Sequence, residues 1–192
     1  MSSKKNILFV IGRELSLHVN EMGGDTGDKI NIVFAGTDEA DLRNYTAGKK
    51  LIVNEGIRDF YIDDSILFIN QKEFDDLKRA IGYLLKGHKA VYVVFMTGDA
   101  LSLAVSPMIA QEADELNIKT SFIGVKTENE DKRVTEENLK YFLKNRYRLY
   151  IIDRINNEFS LQANEEDSRD ELLIEVINSL VKSFKQAEKK LK

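Results

Sequence analysis

The chain has 192 residues, of which 43% are hydrophobic, and a formal net charge of −4 with acidic and basic residues interspersed. This size and hydrophobic content suffice for one ordinary core and exclude a mostly disordered chain. The charge excludes the basic face that a nucleic-acid-binding protein needs.

The sequence also restricts the compartment. Cysteine is absent, which excludes disulfides, a thiolate metal site and a cysteine nucleophile and fits a reducing environment. No apolar run approaches the roughly 20 residues of a membrane helix. The first apolar run, at 6–11, is too short for a signal peptide. We therefore expect a cytoplasmic protein with neither a membrane nor a nucleic-acid partner.

Strand-like and helix-like segments alternate along the chain. Short apolar runs predict strands at 6–11, 30–35, 51–53, 90–96, 119–125 and 146–153. Helices are predicted at 14–22, 39–45, 71–86, 100–116, 134–145 and 167–190. Loops are predicted at 23–27 and 156–166, and 54–68 fits no regular pattern. This alternation predicts an α/β fold of three layers, with a mostly parallel sheet covered by helices on both faces.

Residues 90–126 form the central unit of this pattern, a strand–turn–helix–strand. The turn is Thr97-Gly98-Asp99, and a phosphate would lie there, at the N-terminus of the following helix. Pro107 falls inside that helix, where it would cost about 3 kcal/mol. We therefore expect the regular helix to begin close to Ser106.

The central unit resembles the nucleotide-binding half of the tubulin/FtsZ family. The most specific match is Ser106-Pro107-Met108-Ile109-Ala110, which is followed at family spacing by Glu112, Glu115-Leu116, Ile118, Thr120 and Gly124-Val125. Two further segments match in the same order. They are Ile32 to Asp38, similar to the second strand and its Asn-Thr-Asp turn, and Leu149 to Arg154, similar to the strand that ends in Asn-Asp-Arg.

The resemblance implies a sheet of order 3-2-1-4-5-6 in a single domain, 1–192, that ends in a long central helix at 167–190. It also implies that the family's second domain, which supplies the catalytic loop, is absent. The nucleotide crevice would be lined by Gly12, Thr37, Asp38, Gly98, Asp99 and Asp153.

The phosphate loops depart from the family pattern. The family's glycine-rich loop, Gly-Gly-Gly-Thr-Gly-Thr-Gly, aligns with 98–104, where one glycine remains. Leu101 and Leu103 would block close approach of the backbone to a phosphate, and Asp99 would place a negative charge against it. The first loop, 12–16, likewise keeps one glycine and gains Glu14.

Structural interpretations compete with ligand binding at each candidate residue. Aspartate is a preferred helix N-cap, so Asp99 is interpreted first as the cap of an ordinary turn, and Thr37-Asp38 fits a cap as well. Asp153 and Arg154 fit a surface ion pair. His18 and His88 lie on different elements without carboxylates at ligand spacing, which argues against a metal site or a catalytic triad.

We therefore expect a non-catalytic FtsZ/tubulin-like protein, a pseudo-GTPase that needs no cofactor, has no catalytic residues and acts through a protein partner or a second copy of itself. The alternative is a protein that binds a nucleotide (GTP or GDP) or a small ligand in the same crevice with remodelled loops. A third hypothesis is an unrelated doubly wound fold, which strand order would distinguish.

Overall fold

The computed structural model describes residues 5–22, 30–38, 42, 45, 48–53, 71–154, 158–161 and 170–190. Within these ranges a seven-stranded sheet lies between two layers of helices. Its strands are β1 (Asn6–Ile11), β2 (Ile30–Gly36), β3 (Lys49–Ile52), β4 (Ala90–Met96), β5 (Lys119–Lys126), β6 (Arg148–Asp153) and β7 (Glu158–Leu161). The helices are α1 (Arg13–Met22), α2 (Gln71–Leu85), α3 (Ala100–Glu115), α4 (Lys132–Lys144) and α5 (Glu171–Lys190).

The strand order is β3-β2-β1-β4-β5-β6-β7. The first six strands are all parallel, so the predicted order 3-2-1-4-5-6 is confirmed. The seventh pairs antiparallel with β6 at the edge of the sheet. The prediction of an uninterrupted loop over 156–166 is therefore wrong. Backbone pairing with β6 makes a strand of Glu158–Leu161, a segment too short to show a clear period.

Each face of the sheet carries its own buried core because successive strand residues point to opposite sides. In β1, Phe9 and Ile11 pack with α2, α3 and α4, whereas Leu8 and Val10 pack with α1 and α5. The two central strands, β1 and β4, are therefore almost entirely apolar and buried, as expected for a parallel sheet covered on both faces. The three-layer prediction is confirmed.

Helix α3 begins at Ala100 and passes through Pro107 without interruption. The expected start near Ser106 is therefore wrong. Pro107 offers no N–H to the carbonyl four residues earlier, but Leu101 and Val105, in the turns before it, are buried in the core under β4. Their burial and the capping of the first turn hold the segment helical.

Helix α5 is fixed to the sheet near its N-terminus by a buried tyrosine. The Tyr92 hydroxyl donates to Asp170 Oδ2 at 2.7 Å, and Asp170 Oδ1 accepts from the backbone N–H of Leu173. Burial and this hydrogen bond raise the pKa of Tyr92 above its usual value. Asp170 therefore caps α5 and anchors it at the amino end of β4.

Several predicted segments lie wholly or mostly outside the described residues. They are the loop at 23–27, the helix at 39–45, the irregular stretch at 54–68 and the beginning of the helix at 167–190. Of the helices in the described part of the chain, none has the length and hydropathy needed to cross a membrane.

Candidate functional site

A crevice opens at the carboxyl ends of β1 and β4, where the strand order reverses. In open α/β sheets such a switch point is where ligands bind, because the loops on its two sides diverge. Gly12 follows β1 directly, and the turn Thr97-Gly98-Asp99 connects β4 to α3.

Two adjoining depressions make up this crevice. The larger, about 280 Å³, lies between the ends of β1, β4 and β5, and Gly98 and Glu130 are among its lining residues. The smaller, about 150 Å³, extends towards the end of β2, where Thr37 and Asp38 line it. Gly12, Arg13 and Asp99 line both depressions. The fold thus brings together five of the six residues predicted from the sequence.

Asp99 caps α3. Its Oδ2 accepts hydrogen bonds from the Ser102 backbone N–H at 3.0 Å and from the Ser102 hydroxyl at 2.9 Å. Its backbone is extended, as an N-cap requires. The interpretation of Asp99 as a helix cap is confirmed. Its carboxylate also lies against Gly12, since a Cβ built on that glycine would be 3.8 Å from Asp99 Oδ2.

Gly98 is enclosed by the segment that follows β5. A Cβ built on Gly98 would lie 2.3 Å from Glu130 Cβ and 3.0 Å from the Asp131 backbone nitrogen. The first separation is shorter than real Cβ contacts and the second is tighter than most, so the glycine permits close approach of the two segments. In this structure the missing side chain makes room for Glu130.

Thr97 joins the two loops through its side chain and its backbone. Its hydroxyl donates to the Glu130 carboxylate and lies 3.3 Å from the Val125 carbonyl. Its own carbonyl accepts from Asn138 Nδ2 on α4 at 2.8 Å. Thr97 and Asn138 are both almost fully buried, so this turn is held rigidly against the loop after β5.

The turn after β2 lines the smaller depression. Thr37 is partly buried and Asp38 is exposed. The carbonyl of Asp38 accepts from the Leu42 backbone N–H at 3.2 Å, the spacing of a helical turn. The side chains of this turn therefore lie on the rim of the crevice.

Asp153 lines neither depression. It ends β6 and is paired in register with Glu158 of β7. The next residue, Arg154, forms an ion pair with Glu14 on the crevice rim, and its guanidinium lies 4.7 Å from the ring centroid of Phe184 in α5. Arg154 thus forms a surface ion pair, as expected, and its partner in that pair is Glu14.

The crevice is acidic. The described residues that line it include four carboxylates, from Glu14, Asp38, Asp99 and Glu130, and one cation, Arg13. Of these carboxylates, Glu14 is paired with Arg154. An anionic ligand would meet a repulsive field here. Within the described ranges, no three acidic or histidine side chains come together as a metal site.

The histidines take structural positions away from the crevice. His18 Nδ1 lies 3.0 Å from Ser183 Oγ and the ring packs edge-on against Phe184. His88 lies between Asn31 Nδ2, at 2.8 Å, and the Leu85 carbonyl oxygen, at 3.2 Å. Neither histidine lines the described depressions.

Sequence reasoning missed Glu130 as a lining residue of the crevice and as the partner of Thr97, and it missed Arg13 as the cation of the crevice. Thr97 and Glu130 are 33 residues apart and meet only because β4 and β5 are adjacent. The position of Glu130 just after a parallel neighbour of β4 was the one signal available, since carboxyl ends of such strands share an edge.

No protein-family model matches this sequence, and a search of curated proteins finds no match either. Solved structures do match it. TubZ of Clostridium botulinum phage c-st has a TM-score of 0.61 at 14% identity, over 80% of this chain and 54% of TubZ. FtsZ of M. jannaschii has a TM-score of 0.60 at 14% identity, over 94% of this chain and 53% of FtsZ. TubZ of bacteriophage PhiKZ has a TM-score of 0.58 at 14% identity, over 93% of this chain and 61% of that TubZ. The chain spans little more than half the length of these proteins, and it has the fold of a tubulin/FtsZ-like nucleotide domain.

Proposed function

We propose that this protein is a non-catalytic FtsZ/tubulin-like protein, a pseudo-GTPase that acts through protein–protein contact. The observation that carries the proposal is the Asp99 carboxylate at the N-terminus of α3. A phosphate would need the same backbone N–H groups and the same end of the helix dipole. Asp99 already accepts from the Ser102 N–H there, so a phosphate would have to displace or face a negative charge.

The shape of the loop supports the same proposal. Gly98 is covered by Glu130, and the residues that follow are ordinary helix residues with side chains. The glycine-rich cradle to which a triphosphate binds is therefore replaced by a capped helix. What remains is a rigid α/β scaffold whose outer surfaces are available for partners.

Assembly of the solved relatives supports a partner of the same fold. One FtsZ structure is described as a dimer and one TubZ structure as a protofilament. By analogy, this chain would contact itself or a filament protein of the FtsZ/tubulin fold.

Sedimentation velocity tests the proposal. The chain alone at rising concentration, and the chain mixed with an FtsZ-type filament protein, would be compared with no nucleotide present. We expect a concentration-dependent rise in sedimentation coefficient in at least one series. A strictly monomeric chain that leaves the filament protein unchanged would contradict a function through such contacts.

The second candidate is a small-ligand or nucleotide-binding protein that uses the same crevice. The two depressions and the rim residues Arg13, Thr37 and Asp38 favour it. Such a ligand would stabilise the fold by about 2.7 kcal/mol at 100 times its Kd. A thermal-shift series that includes GTP, GDP and ATP separates this candidate from the first.

A further inference from the structure

A second carboxylate occupies the crevice beside Asp99. Glu130 accepts from the hydroxyl of the buried Thr97 and packs over Gly98. The next residue, Asp131, caps α4 by accepting from the backbone N–H groups of Arg133 and Val134. Glu130 is therefore held from both sides, by the sheet edge and by the start of a helix.

The two carboxylates stand at the two places where an anion would be bound. Asp99 accepts a hydrogen bond at the N-terminus of α3. Glu130 accepts from the Thr97 hydroxyl in the turn that precedes α3. Donors that a free anion would need are thus already used by groups of the chain itself.

We propose that the crevice is self-liganded: Asp99 and Glu130 act as built-in anions, close the site to phosphates and hold the carboxyl edge of the sheet in one state without an external ligand. The inference rests on the proposed function, and it adds that two carboxylates of the chain hold this edge of the sheet in place of a nucleotide. Partners would meet a constant surface at this edge, with no ligand-dependent switching.

Removal of the two charges tests the proposal directly. In the variant Asp99→Ser/Glu130→Ala, serine keeps the helix cap, and alanine removes the Glu130 carboxylate from Thr97 while keeping the Cβ that packs over Gly98. Inorganic pyrophosphate is the probe, because it carries the charge of a nucleotide and no base. We expect saturable binding by titration calorimetry, at least about tenfold tighter than to the unaltered chain, since two repulsive charges are gone.

Three controls accompany this variant. Glu128→Ala removes an exposed acid of the same loop, and it should bind pyrophosphate as weakly as the unaltered chain. The two single variants should give intermediate affinities. Should Glu130→Ala fail to fold by circular dichroism, Asp99→Ser/Glu130→Gln removes the same charges and keeps the side-chain volume, and gain of binding is then expected from it.

A folded double variant that binds pyrophosphate no better than Glu128→Ala would overturn the inference and leave the proposed function intact. Tight binding of GTP by the unaltered chain would instead overturn the proposed function itself.

Discussion

Gly98 shows how a glycine beside a helix N-terminus can serve a packing contact within the protein. Its missing side chain leaves space that the protein fills with Glu130. Glycine at a phosphate loop normally permits approach of a ligand. Here the approach is made by the neighbouring loop, so the identity of the residue is explained by packing alone.

Gly98→Ala should therefore destabilise the fold. The added Cβ would meet Glu130 Cβ and the Asp131 backbone, neither of which can move freely, and overpacking of this kind costs about 1–3 kcal/mol. Gly82→Ala is the matched control. Its Cβ would meet only the flexible end of Glu112, and alanine in a helix interior gains roughly 0.5–1 kcal/mol over glycine.

Urea unfolding of the two variants gives the comparison. Equal stability changes for Gly98→Ala and Gly82→Ala would show that the loop after β5 does not lie against Gly98 in solution.

The two carboxylates of the crevice differed in how far the sequence could predict them. Asp99 acts on Ser102, three residues away, so the cap could be inferred from local chemistry. Glu130 acts on Thr97, 33 residues away, and its role depends on strand pairing and on the short path of the loop between β5 and α4. No local pattern carries that information.

At the scale of elements, helix α5 is fixed near both ends. Tyr92 binds Asp170 at the beginning of α5, and Arg154 stacks on Phe184 near its other end. The rest of its buried stripe packs on the sheet between these two contacts. The packing of α5 on the sheet therefore depends partly on the hydrogen bond that the Tyr92 hydroxyl donates to Asp170.

Tyr92→Phe should lower the free energy of unfolding at neutral pH. Above about pH 10, that free energy should fall less steeply in the variant than in the unaltered chain. Burial raises the pKa of Tyr92 in the folded chain, whereas an unfolded tyrosine titrates near pH 10. The folded state thus keeps a proton that the unfolded state loses, so this contribution is present below about pH 10 and declines as the pH rises above it. Loss of the hydrogen bond to Asp170 costs roughly 1–2 kcal/mol.

Urea unfolding between pH 7 and 12 measures both effects. Burial also raises the pKa of Tyr147, so the difference between variant and unaltered chain isolates Tyr92. Tyr83→Phe, at a residue that is 73% exposed, should behave as the unaltered chain. Identical pH profiles for Tyr92→Phe and the unaltered chain would contradict the assigned role.

Among the elements, long segments with a clear period were predictable and marginal ones were not. The strand Ala90–Met96 is apolar throughout, and its predicted bounds are confirmed. The start of α3 was misplaced because the local rule for Pro107 was overridden by burial of the turns before it. Strand β7 was missed because four residues give too little alternation, and pairing with β6 decides their structure.

At the scale of the whole molecule, the alternation of strands and helices is sufficient to predict a parallel α/β sheet. The order of the strands came from the resemblance to tubulin and FtsZ, since alternation is shared by many folds. That order then fixes the crevice, because a switch between β1 and β4 places Gly12 and the turn after β4 side by side. The scaffold was therefore predictable, and the acidic content of the crevice became clear only from the structure.

Equilibrium binding of GTP, with and without Mg²⁺, is the most direct test of the claim that the scaffold is kept without its nucleotide. Titration calorimetry of the unaltered chain with GTP, and with GDP and ATP for comparison, should give no saturable heat up to millimolar nucleotide. Saturable GTP binding in the micromolar range would contradict the account, and it would show that Asp99 and Glu130 give way to a ligand.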